Sequence, residues 1–421
     1  MDQSIVAVFL ALFAVQFAIE FGLNELNLRQ VEASSAKNAI PDALHGKIAP
    51  QDYAKSVDYT LSNGRFQRWS EIYGSAVLLM VLLSGLLGEV DRWSAHWTGS
   101  FSFGAYGQGI IFCCAVGAIL TLTALPTELY WTFGIEAKFG FNKTTIGLYL
   151  SDKLKGLFLG LLIGVPFLLV VLWLMDIMGQ TWWLWAFAFI AAFQLLLIVI
   201  FPTFIAPWFN KFEPLREGEL RQQILVLAER VGFKTSGIYS MDGSKRSAHS
   251  NAYFTGIGKA KRIVLFDTLI DQMSTAQGLA VLAHEMGHYK MKHIRRMLLV
   301  QTVCLFGGLY VLSLLVDYAP FFSAFGLAPS NHGALVLFSL VAGPFTFYLA
   351  PFVNRLSRKH EYEADGFAVK TLRDGTAMEE ALINLTVKNL SNLTPHPWYS
   401  AYHYSHPTAV ERINAIRQLS V

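Results

Sequence analysis

The sequence predicts a mainly α-helical, polytopic membrane protein with seven transmembrane helices and a smaller extramembranous part containing a short β-sheet. Three observations carry this. Of 421 residues, 53% are hydrophobic and only 15% charged, against roughly 25% charged in soluble domains. Seven apolar stretches approach or exceed the roughly 18–20 residues a helix needs to cross a hydrocarbon core. Lysine and arginine fall almost wholly on one side of the topology those stretches define.

The stretches lie at 5–23, 70–88, 107–125, 156–176, 182–206, 297–316 and 334–353. One or two could be core helices of a large soluble protein; all seven could not. The first follows only Met1 to Ser4, with no positive segment before it and no small-residue cleavage site after it, so it is expected to stay as a span. Cys113, Cys114 and Cys304 all fall inside expected spans and read as small buried hydrophobes rather than a disulfide or thiolate framework. A net charge of +3 and the lack of a basic-aromatic groove exclude nucleic acid as a partner. With an odd number of spans, the linkers at 24–69, 126–155 and 207–296 share a side with the segment from 354. The other side receives only Arg92 of the 33 lysines and arginines, so the crowded side is cytoplasmic. Four regions follow: spans one to five with their linkers (1–206), a cytoplasmic block (207–296), spans six and seven (297–353) and a cytoplasmic C-terminal block (354–421).

Within the first polar block, "EGELRQQILVLAERVG" reads as an amphipathic helix, and "SGIYSM", "NAYFTGI" and "KRIVLFD" as strands. A helix then opens at Ser274, where Ser274 and Gln277 fit a capping box, and carries "VLAHEMGHYK". Helix, strands, helix is the usual cradle for a zincin active-site helix, an inference by analogy of fold. In the second block, span seven is expected to run without interruption into "NRLSRKHEYEADGFAVK". Further on, "YSHPTAVERINAIRQL" places Ser405, His406 and Pro407 at a helix start.

On one helix, His284 and His288 are a turn apart and can both reach one ion. Glu285, about 100° round from His284, is poorly placed as a ligand and well placed to touch a water on the ion, the position of a general base. The bland alternative is two histidines on a polar face. A catalytic zinc needs a third protein ligand and an open position. His293, about 140° round from His288 on a continuing helix, would point away. In "HEYEADGFA", Glu361 shares a face with Ala364, Asp365 and Ala368, where small alanines let a helix approach and Asp365 can accept the free ring N–H of a ligand histidine. Glu363 lies about 200° away and reads as a solvated charge. Glu361 is therefore the expected third ligand and Asp365 its neighbour in support. One zinc so held would bring the pKa of bound water to about 7, with Glu285 taking the proton, which is the chemistry of peptide hydrolysis. His406 and Arg412 are candidates for stabilising the oxyanion, against a capping histidine and a surface arginine. Asn251 opens the "NAYFTGI" strand, along which an extended substrate could lie by main-chain hydrogen bonds, against an ordinary sheet strand.

These residues resemble a known family. "FGFNKTT", "FPTFIAPWFNKFEPLREGEL", "GSKRSAHSNAYFTGIGKAKRIVLFDTL", "HEMGH", "SRKHEYEADGFA" and "YSHPTAVERI", with seven spans, are similar over nearly the whole chain to the type I CAAX prenyl proteases, integral-membrane zinc metalloproteases. The resemblance implies seven helices around a water-filled chamber, which Gln16, Glu20 and Gln194 would face. It also implies His284, His288 and Glu361 as zinc ligands, Glu285 as catalytic base, and Asn251, His406 and Arg412 near the substrate. Its substrates would be prenylated CAAX polypeptides or other membrane-associated polypeptides, met at the bilayer. The compact length, without a C-terminal retrieval signal, points to a bacterial homologue in the cytoplasmic (inner) membrane. The competing functions are a membrane-protein quality-control protease without prenyl specificity, and a non-enzymatic membrane chamber or transporter with a structural zinc. Fewer spans would favour the first, and a fourth protein ligand the second.

Overall fold

The computed structural model describes residues 3–101, 104–256 and 261–419. Helix α1 (Gln3–Ala36) is followed by α2 (Pro50–Leu83) and α3 (Leu86–Phe101). The last two meet at a 58° bend at Gly85, whose φ of +82° suits a residue without a Cβ. Helix α4 (Gly104–Leu129) continues through a π-helical turn (Tyr130–Glu136) to Phe139, and α5 (Ile146–Ile177) and α6 (Trp182–Ile200) follow. On α5, Leu150, Leu154, Leu157 and Leu161 remain exposed along one face, an apolar stripe suited to lipid. The three expected intramembrane polar residues are paired: Gln16 with Glu20, and Gln194 with Gln301.

Among the described residues, five helices are long and apolar enough to cross a membrane, or six if the bent α2–α3 pair is one span. The segment expected as the seventh span does not form one such uninterrupted helix. Between the short helix at Glu219–Arg230 (α7), the 16-residue helix at Thr275–Lys290 (α8), His293–Leu315 (α9) and the C-terminal block, the segment expected as span seven yields only the 11-residue α10 (Asn331–Val341). It breaks at Gly343 and Pro344, forms one further turn (Gly343–Phe347), and restarts as α11 (Ala350–Leu372) with Pro351 in its first turn. Proline lacks the N–H that a continuous helix would need there. Hydropathy averaged over a window does not register such a break. Gly366, by contrast, does not end α11.

The extramembranous part is built on a four-stranded sheet of order β1–β2–β4–β3: β1 (Phe212–Pro214), β2 (Gly237–Met241), β3 (Ala252–Thr255) and β4 (Arg262–Phe266). β2 and β4 are parallel, and the outer strands are antiparallel to their neighbours. The three expected strands are present; Ile257, at the end of the expected strand "NAYFTGI", lies outside the described residues. β1, three residues ending in proline, is too short to leave a periodic signal. Ile224 of α7, Ile263 and Leu265 of β4, and Leu282 and Met286 of α8 form one core. It extends to Ala381 of α12 (Gly375–Lys388) and Ile413 of α13 (Ala409–Leu419). The Ser274–Gln277 capping box of α8 is formed in both directions. Helix α13 starts later than Pro407: Thr408 and Glu411 exchange the reciprocal capping bonds instead.

α8 and α11 pack across Gly287. A Cβ added there would stand 3.1 Å from Ala364 Cα and 3.2 Å from both Ala364 O and Phe367 Cβ. The backbone of α11 cannot yield like a flexible side chain. Gly287→Ala is therefore expected to destabilise the fold by about 1–3 kcal/mol and to weaken metal retention, because the two helices it parts carry His288 and Glu361; thermal unfolding and metal titration check both.

Candidate metal centre

The two histidines of α8 and Glu361 of α11 meet as the sequence expects, with one donor atom from each within 4.8 Å of the others. His284 Nε2 and His288 Nε2 stand 3.1 Å apart. His284 Nε2 lies 3.4 Å from Glu361 Oε2, and His288 Nε2 3.2 Å from Glu361 Oε1.

The outer partners fix which ring nitrogens carry protons. His284 Nδ1 is 2.7 Å from Asp365 Oδ1; a carboxylate only accepts, so Nδ1 holds the proton and Nε2 presents a lone pair. On the other histidine a longer relay does the same. His293 Nε2 donates to Glu363 Oε2 at 2.9 Å, leaving its Nδ1 to accept from His288 Nδ1 at 3.0 Å, so His288 Nε2 also faces inward as a lone pair. Two lone pairs and a carboxylate then converge, and Glu361 Oε2 is buried with no hydrogen bond. That donor set repels itself unless a cation lies between, and so it fits a metal ion.

His293 and Glu363 are the residues that sequence reasoning missed. The helical angle that turned His293 away assumed a helix continuing past His288, but α8 stops at Lys290. Lys292 takes a left-handed conformation (φ +63°), and α9 starts anew at His293, swinging its ring back onto His288. Nothing in "YKMKHI" marks that break, since a lysine rather than a glycine occupies the left-handed position. Glu363 is not simply solvated: besides His293 it pairs with Arg296 at 3.5 Å and Lys359 at 3.8 Å, and His360 stacks on His293 at 4.1 Å. Because outer partners of metal ligands typically govern affinity by 10- to 100-fold, Glu363→Gln is expected to weaken metal binding by about tenfold, read by competition with a chelator.

The electrostatics follow from this packing. Burial opposes the Glu361 charge, but the two histidines outweigh it and hold its pKa well below the usual range. Burial and Arg412 push the His284 pKa down, and Asp365 and Glu361 outweigh them, raising it to about 9. A proton thus competes with a cation for the same position. Arg412, left open between surface and site, is mostly withdrawn from solvent, its side chain 12% exposed: its Nε and Nη2 fork onto Asp365 at 2.8 and 2.6 Å, and its Nη1 is 3.4 Å from Glu361.

A cavity of about 400 Å³ opens beside the three donors. Glu285 lines it, partly buried, with no hydrogen bond tying its carboxylate to a neighbour among the described residues; burial raises its pKa. Asn251, His406 and Arg412 line the same cavity. His406 does not cap α13; its side chain is 64% exposed with Nε2 3.4 Å from Glu361 Oε1 and Nδ1 3.0 Å from Ser405 Oγ. Asn251 stands at the head of β3, an outer strand of the sheet.

The chain is also similar to known proteins. Residues 30–211 match the family model described as CAAX prenyl protease N-terminal, five membrane helices, and residues 214–420 match peptidase family M48. The chain is 35% identical to CAAX prenyl protease 1 of Saccharomyces cerevisiae, covering 96% of this chain and 93% of that protein. It is 32% identical to the CAAX prenyl protease 1 homolog of Homo sapiens, covering 93% and 91%. The crystal structure of S. mikatae Ste24p superposes with a TM-score of 0.91 at 34% identity, covering 97% of this chain and 98% of that one. These relatives are eukaryotic and of nearly the same extent, so the expected bacterial source and the compactness that suggested it find no support in them. Two adjoining family matches and near-complete overlap with these relatives make the chain a member of peptidase family M48, a multi-pass membrane metalloprotease of the CAAX prenyl protease 1 group.

Proposed function

We propose that the chain is a zinc-dependent membrane endopeptidase that hydrolyses CAAX-type prenylated polypeptides or other membrane-associated polypeptides. His284, His288 and Glu361 would hold one zinc per chain, Glu285 would act as general base, and Asp365 would orient His284. The observation that carries this reading is the inward set of two imidazole lone pairs and an unsatisfied buried carboxylate, open to a cavity lined by Glu285. Two nitrogens, one oxygen and an open side are the donor set of a catalytic zinc. Among the described residues no fourth His, Cys, Asp or Glu joins the group, which disfavours a structural zinc.

When bound, the ion supplies Lewis acidity toward the scissile carbonyl and the attacking water. Glu285 accepts the water's proton and returns it to the leaving amine. His406, exposed at the cavity rim, donates to the developing oxyanion, while Arg412, anchored on Asp365, keeps that carboxylate charged for His284. The peptide pairs along the outer edge of β3, starting at Asn251. Region 207–296 provides the strand and the α8 ligands, 354–421 provides Glu361, and the clustering of lysine and arginine supports a cytoplasmic position for both.

The pH dependence follows from Glu285. Burial raises its pKa, and the base must be unprotonated, so activity is present above that raised value and lost as pH falls through it. The Glu285 limb of kcat/KM is therefore expected above 4.5, the ordinary value for a glutamate, measured at saturating metal; metal binding in Glu285→Gln protein reads separately the loss caused by proton competition at His284. Substrate class is tested by comparing a farnesylated CAAX peptide with its unprenylated counterpart: about tenfold or greater preference for the prenylated peptide is expected, and equal turnover would move the substrate to membrane-associated polypeptides in general.

A further inference from the structure

The segment that delivers β3 to the metal cavity is sewn to the membrane helices by groups the cleavage chemistry does not use. Asn142 and Ser247 form an antiparallel bridge. On either side of it, Lys143 N donates to Arg246 O and Ala248 N to Phe141 O, each at 3.0 Å. Arg246 forks onto Asp152 of α5 at 2.8 and 3.0 Å and reaches Asn210 at 2.7 Å.

At the end of this seam sits His249, two residues before Asn251. Its ring lies flat on Phe141, centroids 3.9 Å apart and planes 14° from parallel. Nε2 is 3.3 Å from Glu136 Oε2, and Nδ1 is 2.9 Å from Asn389 Oδ1. Glu136 belongs to the π-helical turn that ends the α4 span, is 4% exposed, and accepts from Tyr59 of α2 at 2.6 Å on its other oxygen. Asn389 follows the last turn of α12 and lines the metal cavity; its Oδ1 also faces Ser250 N at 3.4 Å. Both partners of the imidazole present oxygen acceptors, so the geometry favours a ring that donates from both nitrogens, the cationic form. Burial works against that charge, and Glu136 and Asn389 outweigh it, holding the His249 pKa above its ordinary value. One ring thus joins a membrane helix, the wall of the metal cavity and the start of β3.

We propose that His249 is a positioning residue for the substrate: clamped by Glu136 and Asn389, it holds the edge strand β3 in register with His284, His288 and Glu361, so that a peptide paired on β3 presents its scissile bond to the centre. This rests on the reading of β3 as the substrate-binding edge. A strand advances about 3.3 Å per residue, and displacements near 1 Å are enough to cost about 100-fold in rate, so an edge strand of four residues needs such an anchor.

The test uses the metal-loaded full chain in nanodiscs and a set of farnesylated peptides, each N-methylated at one backbone nitrogen, which deletes one pairing bond at a time. In the parent, methylation at the paired positions is expected to raise KM by about tenfold. In His249→Ala, KM for the unmethylated peptide rises by about tenfold, kcat falls by up to about 100-fold, metal content is unchanged, and the methylation penalty disappears. His249→Asn, which can still donate to Asn389, recovers most of the loss. Should the alanine variant fail to fold, Glu136→Gln, which keeps the shape of the clamp and removes its charge, shows the same loss of discrimination in milder form. Variants with an unchanged KM and the full methylation penalty overturn the assignment and leave the β3 reading standing. A parent indifferent to methylation at every position overturns the β3 reading and the assignment with it.

Discussion

Glu285→Gln protein retains its metal and loses about 10²- to 10⁴-fold in kcat, the range spanned by general acid–base catalysis. The substitution is isosteric, and the Glu285 carboxylate takes no part in the group formed by His284, His288 and Glu361. It makes no hydrogen bond to a neighbour among the described residues and lines the cavity where a substrate would lie, so the fold has little to lose. What the amide cannot do is accept a proton from water. Metal content by elemental analysis and turnover of a farnesylated CAAX peptide together read the result. A variant as active as the parent would remove Glu285 from the mechanism; a variant without metal would make it a structural support.

Glu361→Ala is expected to lower metal affinity by more than about 100-fold, beyond the range typical of outer partners, and to abolish turnover with it. Among the described residues Glu361 is the one carboxylate in the group with His284 and His288; it faces both imidazoles at 3.2–3.4 Å and offsets the charge of Arg412 nearby. Two neutral imidazoles alone are a weak site at neutral pH. Glu363, two residues on, touches the centre only through His293, so Glu363→Ala should cost about tenfold in affinity and leave measurable activity at saturating metal. Chelator competition on both variants separates them. Metal kept at full affinity in Glu361→Ala but lost in Glu363→Ala would reverse the assignment of the third ligand.

What the sequence made legible was the part of the site that depends on local geometry. His284, Glu285 and His288 follow from helical spacing within one uninterrupted helix, and the choice of Glu361 over Glu363 follows from the face that Ala364 and Ala368 share on another. The close approach that those alanines suggest is completed by Gly287, whose missing Cβ admits the α11 backbone. What it did not make legible lay across two breaks in periodicity, one unmarked and one marked by glycine and proline. Lys292 in the left-handed region redirects His293 onto His288, and Gly343 with Pro344 divides the apolar run that hydropathy joined into a seventh span. Arg412 could not be placed from sequence because its burial depends on Asp365, 47 residues away in the chain, and the Glu136–His249–Asn389 clamp joins three distant segments with no spacing rule between them.

On the proposed function, one metal held across α8 and α11 drives peptide hydrolysis with Glu285 as base. Its most direct measurement is the release of the C-terminal tripeptide from a farnesylated CAAX peptide, followed by mass spectrometry for parent enzyme as purified, stripped by chelator, and restored with about one equivalent of zinc per chain. The expected result is release that vanishes on stripping, returns with zinc, and stays absent in zinc-loaded Glu285→Gln; release that survives complete removal of the metal would contradict it.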